Sequence, residues 1–318
     1  MKISIIGAGA FGLAISKMFY KNNNDIYLWS KFKEETDKLR ENNKFMNIDL
    51  PKDYIYTNDL GECISNSDLI VIALPVAFIN DTIMNIINVY DSQPIVIVSK
   101  GIEQETNLFA VDIVKKYIDT NDIGVLSGGT FAKDMLQDKP MGLTLATKST
   151  KLKNVIDKTL KNNTLDIEYI DDIIGVELCG AYKNIVAIAS GIIDGLSYGD
   201  STKFYLITKC VFELRNIITL LYGNKDTINS YAGIDDMYMT CSSTNSRNFS
   251  FGNILSTKDI NKINDYKNNT TIEGLYTTKS IYDLLNSKNI KSKFISVMYD
   301  ILYKNKDIDL LIEYLKGN

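Results

Sequence analysis

The sequence predicts an α/β N-terminal domain built on a parallel sheet, followed by an all-helical C-terminal domain. Three observations predict it. Short β-branched runs alternate with helical patterns through about residue 172. A glycine-rich turn follows the first of those runs, at Gly7-Ala8-Gly9-Ala10-Phe11-Gly12. Beyond residue 172 the strand signal fades and long helical patterns take over. We expect domains at 1–172 and 173–318. The length of 318 residues fits two domains of ordinary size.

In chain order, the strand candidates are Lys2–Ile6, Asp25–Trp29, Leu69–Ala73, Ile95–Val98, Ile123–Leu126 and Gly142–Ala146. Helical patterns lie between them at Phe11–Tyr20, Lys33–Asn42, Phe78–Val89 and Leu108–Ile118. Runs such as Ile70-Val71-Ile72-Ala73 are continuously apolar, as in strands covered on both faces by crossover helices. In the second half, Ile174–Leu196, Lys203–Tyr222, Thr277–Asn286 and Phe294–Tyr303 read as helices separated by Gly-, Asn- and Ser-rich loops. No internal repeat is apparent.

Composition bounds the function. The hydrophobic share is 45%, the charged share 23% and the net charge −4, which argues against a general nucleic-acid binder. The chain has no histidine, and its four cysteines (Cys63, Cys179, Cys210, Cys241) lie far apart. We therefore expect no metal site. Scattered thiols suit a reducing cytoplasm. Lys2 and the apolar Ile3–Ile15 superficially imitate a signal peptide, but the glycines fit a strand entering a turn better. The apolar runs Leu69–Ile79 and Leu178–Ile193 are short and interrupted, so no membrane span is expected. Without imidazole, proton transfer must fall to Lys, Asp, Glu, Tyr, Cys or water.

A strand running into Gly7, Gly9 and Gly12 and then into a helix is the arrangement of a Rossmann-type dinucleotide site. Gly7 permits the turn, Gly9 lets backbone approach a pyrophosphate, and Gly12 permits close helix–strand packing. An acid commonly closes the second strand to hold the ribose hydroxyls. Here Ser30, Lys31 and Lys33 stand there instead. Cations without an acid favour NADP over NAD; the alternative is two ordinary surface lysines. At the ends of later strands, Ser99-Lys100-Gly101 offers a cation. Ser127-Gly128-Gly129-Thr130-Phe131-Ala132 offers small residues and a hydroxyl. Together they suit a phosphorylated substrate, unless they are plain solvated loops.

From Leu178 to Ile193 the one charged residue is Lys183, with Asn184 beside it. Lysines are rarely buried unpaired, and burial makes a lysine able to exchange protons near neutrality. Lys183 is therefore the best acid/base candidate, its alternative being a lysine that snorkels to solvent. Asp236 or Thr240 is a candidate partner, and Arg247 with Asn248 could take phosphate through a planar fork.

Together these residues resemble the bacterial-type NAD(P)-dependent glycerol-3-phosphate dehydrogenases. The resemblance runs from Gly7 to at least Gly274. It is most specific at Gly175-Val176-Glu177-Leu178, Lys183-Asn184-Ile185, Gly191-Ile192-Ile193-Asp194-Gly195-Leu196, Gly199-Asp200, Thr202-Lys203, Thr240-Cys241 and Ser246-Arg247-Asn248. It implies that Ala10, Phe11, Lys31, Ala132, Thr271 and Glu273 meet the cofactor, NADP or NAD, while Lys100 and Arg247 meet both cofactor and substrate. Gly128, Thr130, Asp236, Ser246 and Asn248 would bind a small phosphorylated substrate, and Lys183 would be the general acid/base. A homodimer is compatible with it, and the product would feed glycerophospholipid synthesis. The sequence departs from the family pattern at Gly129, Asp134, Cys179, Ser201 and Asp235. Asp235 matters most, because an extra carboxylate near Lys183 would alter its proton affinity. A β-hydroxyacid dehydrogenase of similar architecture is the nearest rival, and a non-catalytic nucleotide-binding regulator the next.

Overall fold

The computed structural model describes residues 1–65 and 67–317. They form two compact units, Met1–Lys100 with Ala110–Ile173, and Gly101–Phe109 with Ile174–Asn318. The segment Gly101–Phe109 departs from the single cut that the sequence suggests. Its Ile102 and Phe109 are buried in the apolar core of the second unit.

The first unit runs β1 (Lys2–Ile6), α1 (Ala10–Lys21), β2 (Asp25–Trp29), α2 (Lys33–Asn42), β3 (Lys44–Phe45), β4 (Ile48–Asp49), β5 (Ile55–Thr57), α3 (Leu60–Ile64) and β6 (Leu69–Ile72). It continues with α4 (Ile79–Ile86), β7 (Ile95–Ile97), α5 (Ala110–Lys115), β8 (Ile123–Ser127), α6 (Ala132–Leu136), β9 (Met141–Ala146), α7 (Thr150–Thr159) and β10 (Leu165–Ile170). The main sheet has the order β10-β9-β8-β7-β6-β1-β2-β5, and β3 with β4 makes a separate hairpin. The central strands β6 and β7 are wholly buried, which is why their sequences are unbroken aliphatic runs, while β1 buries Ser4 among its isoleucines.

Among the described strands of the main sheet, one pair is not parallel. β8 and β9 run antiparallel, with Val125 opposite Ala146. Their connection carries only the five-residue α6, which rises about 7.5 Å. Helix length alone does not set this reversal, because the five-residue α3 and six-residue α5 lie between strands that run parallel in the sheet. β10 then pairs parallel to β9.

The second unit is helical: α8 (Ile173–Gly195), α9 (Gly199–Leu220), α10 (Asp236–Cys241), α11 (Arg247–Ser256), α12 (Ile260–Asn269), α13 (Glu273–Ser287), α14 (Lys293–Tyr303) and α15 (Asp309–Lys316). Two irregular turns, 3₁₀ at Lys225–Asn229 and π at Tyr231–Asp235, lead into α10. α8 is long and apolar enough to cross a membrane, but 89% of its most apolar window is buried within the protein. It is the spine of the core, flanked by Leu206, Leu214, Phe251, Phe294 and Met298. α11 lies very close to it. A Cβ at Gly191 would fall 2.0 Å from the Phe249 carbonyl, and one at Gly252 2.0 Å from the Ile188 carbonyl. Only glycine at both positions permits this crossing, and the crossing brings Asn248, at the start of α11, onto Asn184 in the middle of α8.

Candidate functional site

In the first unit, the glycine turn has the geometry of an anion cradle. Gly7 has φ +121° and donates its N–H to the Trp29 carbonyl at 3.0 Å. A Cβ there would strike the Ala73 carbonyl at 2.5 Å, and one at Gly12 would strike the Gly7 carbonyl at 2.0 Å. A Cβ at Gly9 would meet no protein atom within 4 Å. Gly9 caps α1, whose first turn contains no acid, and Ala10 and Phe11 begin that helix. Open space over helix N–H groups fits a pyrophosphate.

The end of β2 differs from the sequence reading. Lys31 and Lys33 are exposed. Ser30 is 3% exposed, however, and its hydroxyl donates to the Glu35 carboxylate at 2.5 Å. An acid is thus present at the strand end, contributed by the first turn of α2. Reading position by position along the strand missed it.

At the ends of β7 and β8, Lys100 donates to the Gly128 carbonyl at 3.3 Å. The hydroxyls of Ser127 and Thr130 are buried, and neither has a hydrogen-bond partner among the described residues. Leaving a buried hydroxyl unsatisfied costs about 1–3 kcal/mol. Both lie in the segment to which Lys100 is bonded, just ahead of α6, and are polar groups that the fold itself leaves unused.

In the second unit, Lys183 is 6% exposed and Asp236 0%. The Lys183 ammonium donates to the Asp236 carboxylate, and to the Thr240 hydroxyl at 2.9 Å. Thr240 in turn donates to Asp236 at 3.3 Å. The π turn sets Asp236 at the start of α10, and Thr240 follows one helical turn later on the same face. Asp235, by contrast, is exposed. Cys241 lies against the Lys183 carbonyl at 3.7 Å, and burial pushes its thiol far above the usual range. It therefore stays protonated.

Asn184 joins a second group. It donates to Glu273 at 3.3 Å and accepts from Asn248 at 2.9 Å, and the Asn248 side chain accepts from the Gly274 N–H at 2.9 Å. Ser246 caps α11 by accepting from the Phe249 N–H, so its hydroxyl has a structural duty as well. Arg247 pairs with Glu273 at 3.6 Å while remaining 56% exposed. Thr271 is exposed, just ahead of α13. The structure thus groups Lys183, Asp236 and Thr240, groups Asn184, Asn248, Glu273 and Arg247, and joins Lys100 to Gly128. Among the described residues, no cluster of three His, Cys, Asp or Glu side chains could hold a metal.

Comparison with known proteins assigns both units. Residues 2–153 match the family described as NAD-dependent glycerol-3-phosphate dehydrogenase N-terminus, and residues 172–313 match its C-terminus. The chain is 33% identical to a glycerol-3-phosphate dehydrogenase [NAD(P)+] of Staphylococcus carnosus, over 99% of this chain and 98% of that protein. It is 31% identical to the protein of that name from Fusobacterium nucleatum, over 96% and 94% respectively. Its fold matches the crystal structure of glycerol-3-phosphate dehydrogenase from Coxiella burnetii with a TM-score of 0.93. Identity there is 25%, covering 100% of this chain and 99% of that one.

Proposed function

Because the chain belongs to the NAD-dependent glycerol-3-phosphate dehydrogenase family, we propose that it interconverts dihydroxyacetone phosphate and sn-glycerol 3-phosphate, using NAD or NADP. The observation that carries the chemistry is the buried lysine of a chain without histidine, held by Asp236 and Thr240.

When bound, the nicotinamide supplies the hydride that reduces C2. The residues of the chain do the rest. Lys183 gives a proton to the C2 oxygen as the ketone becomes an alcohol, and takes it back in the reverse direction. Asp236 favours the ammonium form and, with Thr240, fixes its direction. Asn184 is a positioning residue, held by Asn248 and Glu273. In the first unit we assign Lys100, Gly128 and Thr130 to the phosphorylated substrate; in the second unit, taken by itself, we assign Ser246, Arg247 and Asn248 to it. Gly7, Gly9, Ala10, Phe11, Gly12, Lys31, Ala132, Thr271 and Glu273 bind the cofactor.

The finer parts of this reading are a cytoplasmic location, a homodimer, and a product destined for glycerophospholipid synthesis. The four cysteines are free and buried, which suits a reducing compartment. The test is oxidation of NADH or NADPH on addition of dihydroxyacetone phosphate, with unphosphorylated dihydroxyacetone as comparison. Efficient turnover of the first and poor turnover of the second supports the reading; equal rates reject its phosphate-binding part.

A further inference from the structure

Building on that cofactor reading, we infer that Glu35 is the carboxylate that recognises the adenosine ribose hydroxyls, and that it makes NADH the preferred cofactor over NADPH. In dinucleotide folds that use NAD, an acid at the carboxyl end of the second strand accepts from the ribose 2′-hydroxyl. β2 ends at Trp29 and is followed by Ser30 rather than an acid. The place is nevertheless occupied by a carboxylate from elsewhere.

Four hydrogen bonds fix it there. The Gly7 N–H donates to the Trp29 carbonyl at 3.0 Å, which sets the end of β2 beside the glycine turn. The Ser30 hydroxyl donates to Glu35 at 2.5 Å and accepts from the Phe32 N–H at 3.2 Å. The Glu35 N–H donates to the Phe32 carbonyl at 3.1 Å, closing the first turn of α2 back over the strand end. Ser30 is thus the bracket, and Glu35 supplies the charge. A carboxylate has about four acceptor sites over its two oxygens, so the Ser30 bond leaves capacity for a ribose.

Among the described residues, Glu35 forms no ion pair, so its charge is not neutralised. A 2′-phosphate carries about −1.5 to −2 at neutral pH and would meet that carboxylate at close range. Lys31 and Lys33 pull the other way. Both are exposed, as is Glu35, so water screens all three charges; Glu35 differs in being held at the strand end by the Ser30 hydroxyl. The hydrogen-bonded carboxylate therefore outweighs them, and the lysines moderate its discrimination without reversing it.

The experiment needs no substrate. The single tryptophan, Trp29, is the last residue of β2 and adjoins Ser30. Its fluorescence reports binding of the reduced cofactor, and calorimetry checks the constants. The unaltered protein is expected to bind NADH about tenfold more tightly than NADPH. Glu35→Gln is expected to shift the ratio of the two dissociation constants ten- to a hundredfold toward NADPH, the worth of a hydrogen bond to a charged group. Glu35→Ala should do the same, and Ser30→Ala should move the ratio less in the same direction. A side chain that merely supported the helix would alter both constants alike. An unmoved ratio in Glu35→Gln, or tighter NADPH binding by the unaltered protein, overturns the assignment while leaving the cofactor reading intact. Failure of the unaltered protein to bind either cofactor overturns both.

Discussion

The Lys183 ammonium donates to the Asp236 carboxylate where Lys183 is 6% exposed and Asp236 0%. Burying two charges is costly, and a buried pair is weak evidence for stability. Breaking it from one side is worse, because it strands a single charge in the core. The pair therefore ties any test of the mechanism to the stability of the fold.

Lys183→Met should lower kcat by a factor on the order of 10²–10⁴, the usual worth of a general acid. It should also cost about 3–5 kcal/mol of stability by leaving Asp236 uncompensated. Adding Asp236→Asn should restore most of the stability without restoring activity. Thermal denaturation and kcat of the single and double variants separate the two effects. A double variant that regains both stability and turnover would remove Lys183 from the chemistry.

Thr130→Val tests the buried hydroxyl in the first unit. Its oxygen has no partner among the described residues, and the side chain is 8% exposed. Replacing it with a methyl should leave stability unchanged or raise it by about 1 kcal/mol. If the hydroxyl binds substrate, kcat/KM for dihydroxyacetone phosphate should fall about fivefold, the worth of one neutral hydrogen bond. A loss of stability with unchanged kinetics would mean that the hydroxyl serves the fold.

Arg247 is 56% exposed and rests on Glu273 at 3.6 Å, a contact weak enough for a phosphate to displace. A guanidinium can hold phosphate through two hydrogen bonds, and lysine cannot. Arg247→Lys should therefore lose about ten- to a hundredfold in kcat/KM although the charge is kept. Steady-state kinetics decide it, and an unchanged value would place Arg247 outside the substrate site.

The features that sequence reveals here are those specified locally. Gly7, Gly9 and Gly12 can be read because a turn and its following helix are set by neighbouring residues. Lys183 stands out as the one charge between Leu178 and Ile193, and Asp236 and Thr240 are acceptable partners by type although 53 and 57 residues away. Glu35 is hidden because it reaches the strand end by the folding back of α2, five residues after Ser30. The Ser127 hydroxyl, without a partner among the described residues, is equally invisible, since sequence does not show which polar atoms are left unsatisfied. β5 and β10 lie at the two edges of the sheet, where exposed Ile55 and Asp166 blur the apolar run. The antiparallel direction of β9 is hidden as well, because its largely buried run looks the same whichever way it pairs with β8.

The last prediction concerns pH. In ketone reduction Lys183 acts as its ammonium, so kcat should fall as rising pH removes that proton; in alcohol oxidation it acts as the neutral amine, so kcat should rise along the same limb. Opposite limbs in the two directions are the signature of one group serving as acid and base. No imidazole can produce them, because the chain has none. A thiol is the other group to exclude. Cys241 touches the Lys183 carbonyl, and burial, reinforced by the Asp236 charge and only partly offset by Lys183, pushes it far above the usual thiol range. Cys241→Ala should accordingly leave both limbs in place. Asp236→Asn removes the charge that favours the ammonium, so it should move both limbs to lower pH together. Measuring kcat across pH in both directions for these two variants and the unaltered protein is the test. Limbs that vanish in Cys241→Ala, or that stay fixed in Asp236→Asn, would show that the titrating group is not Lys183.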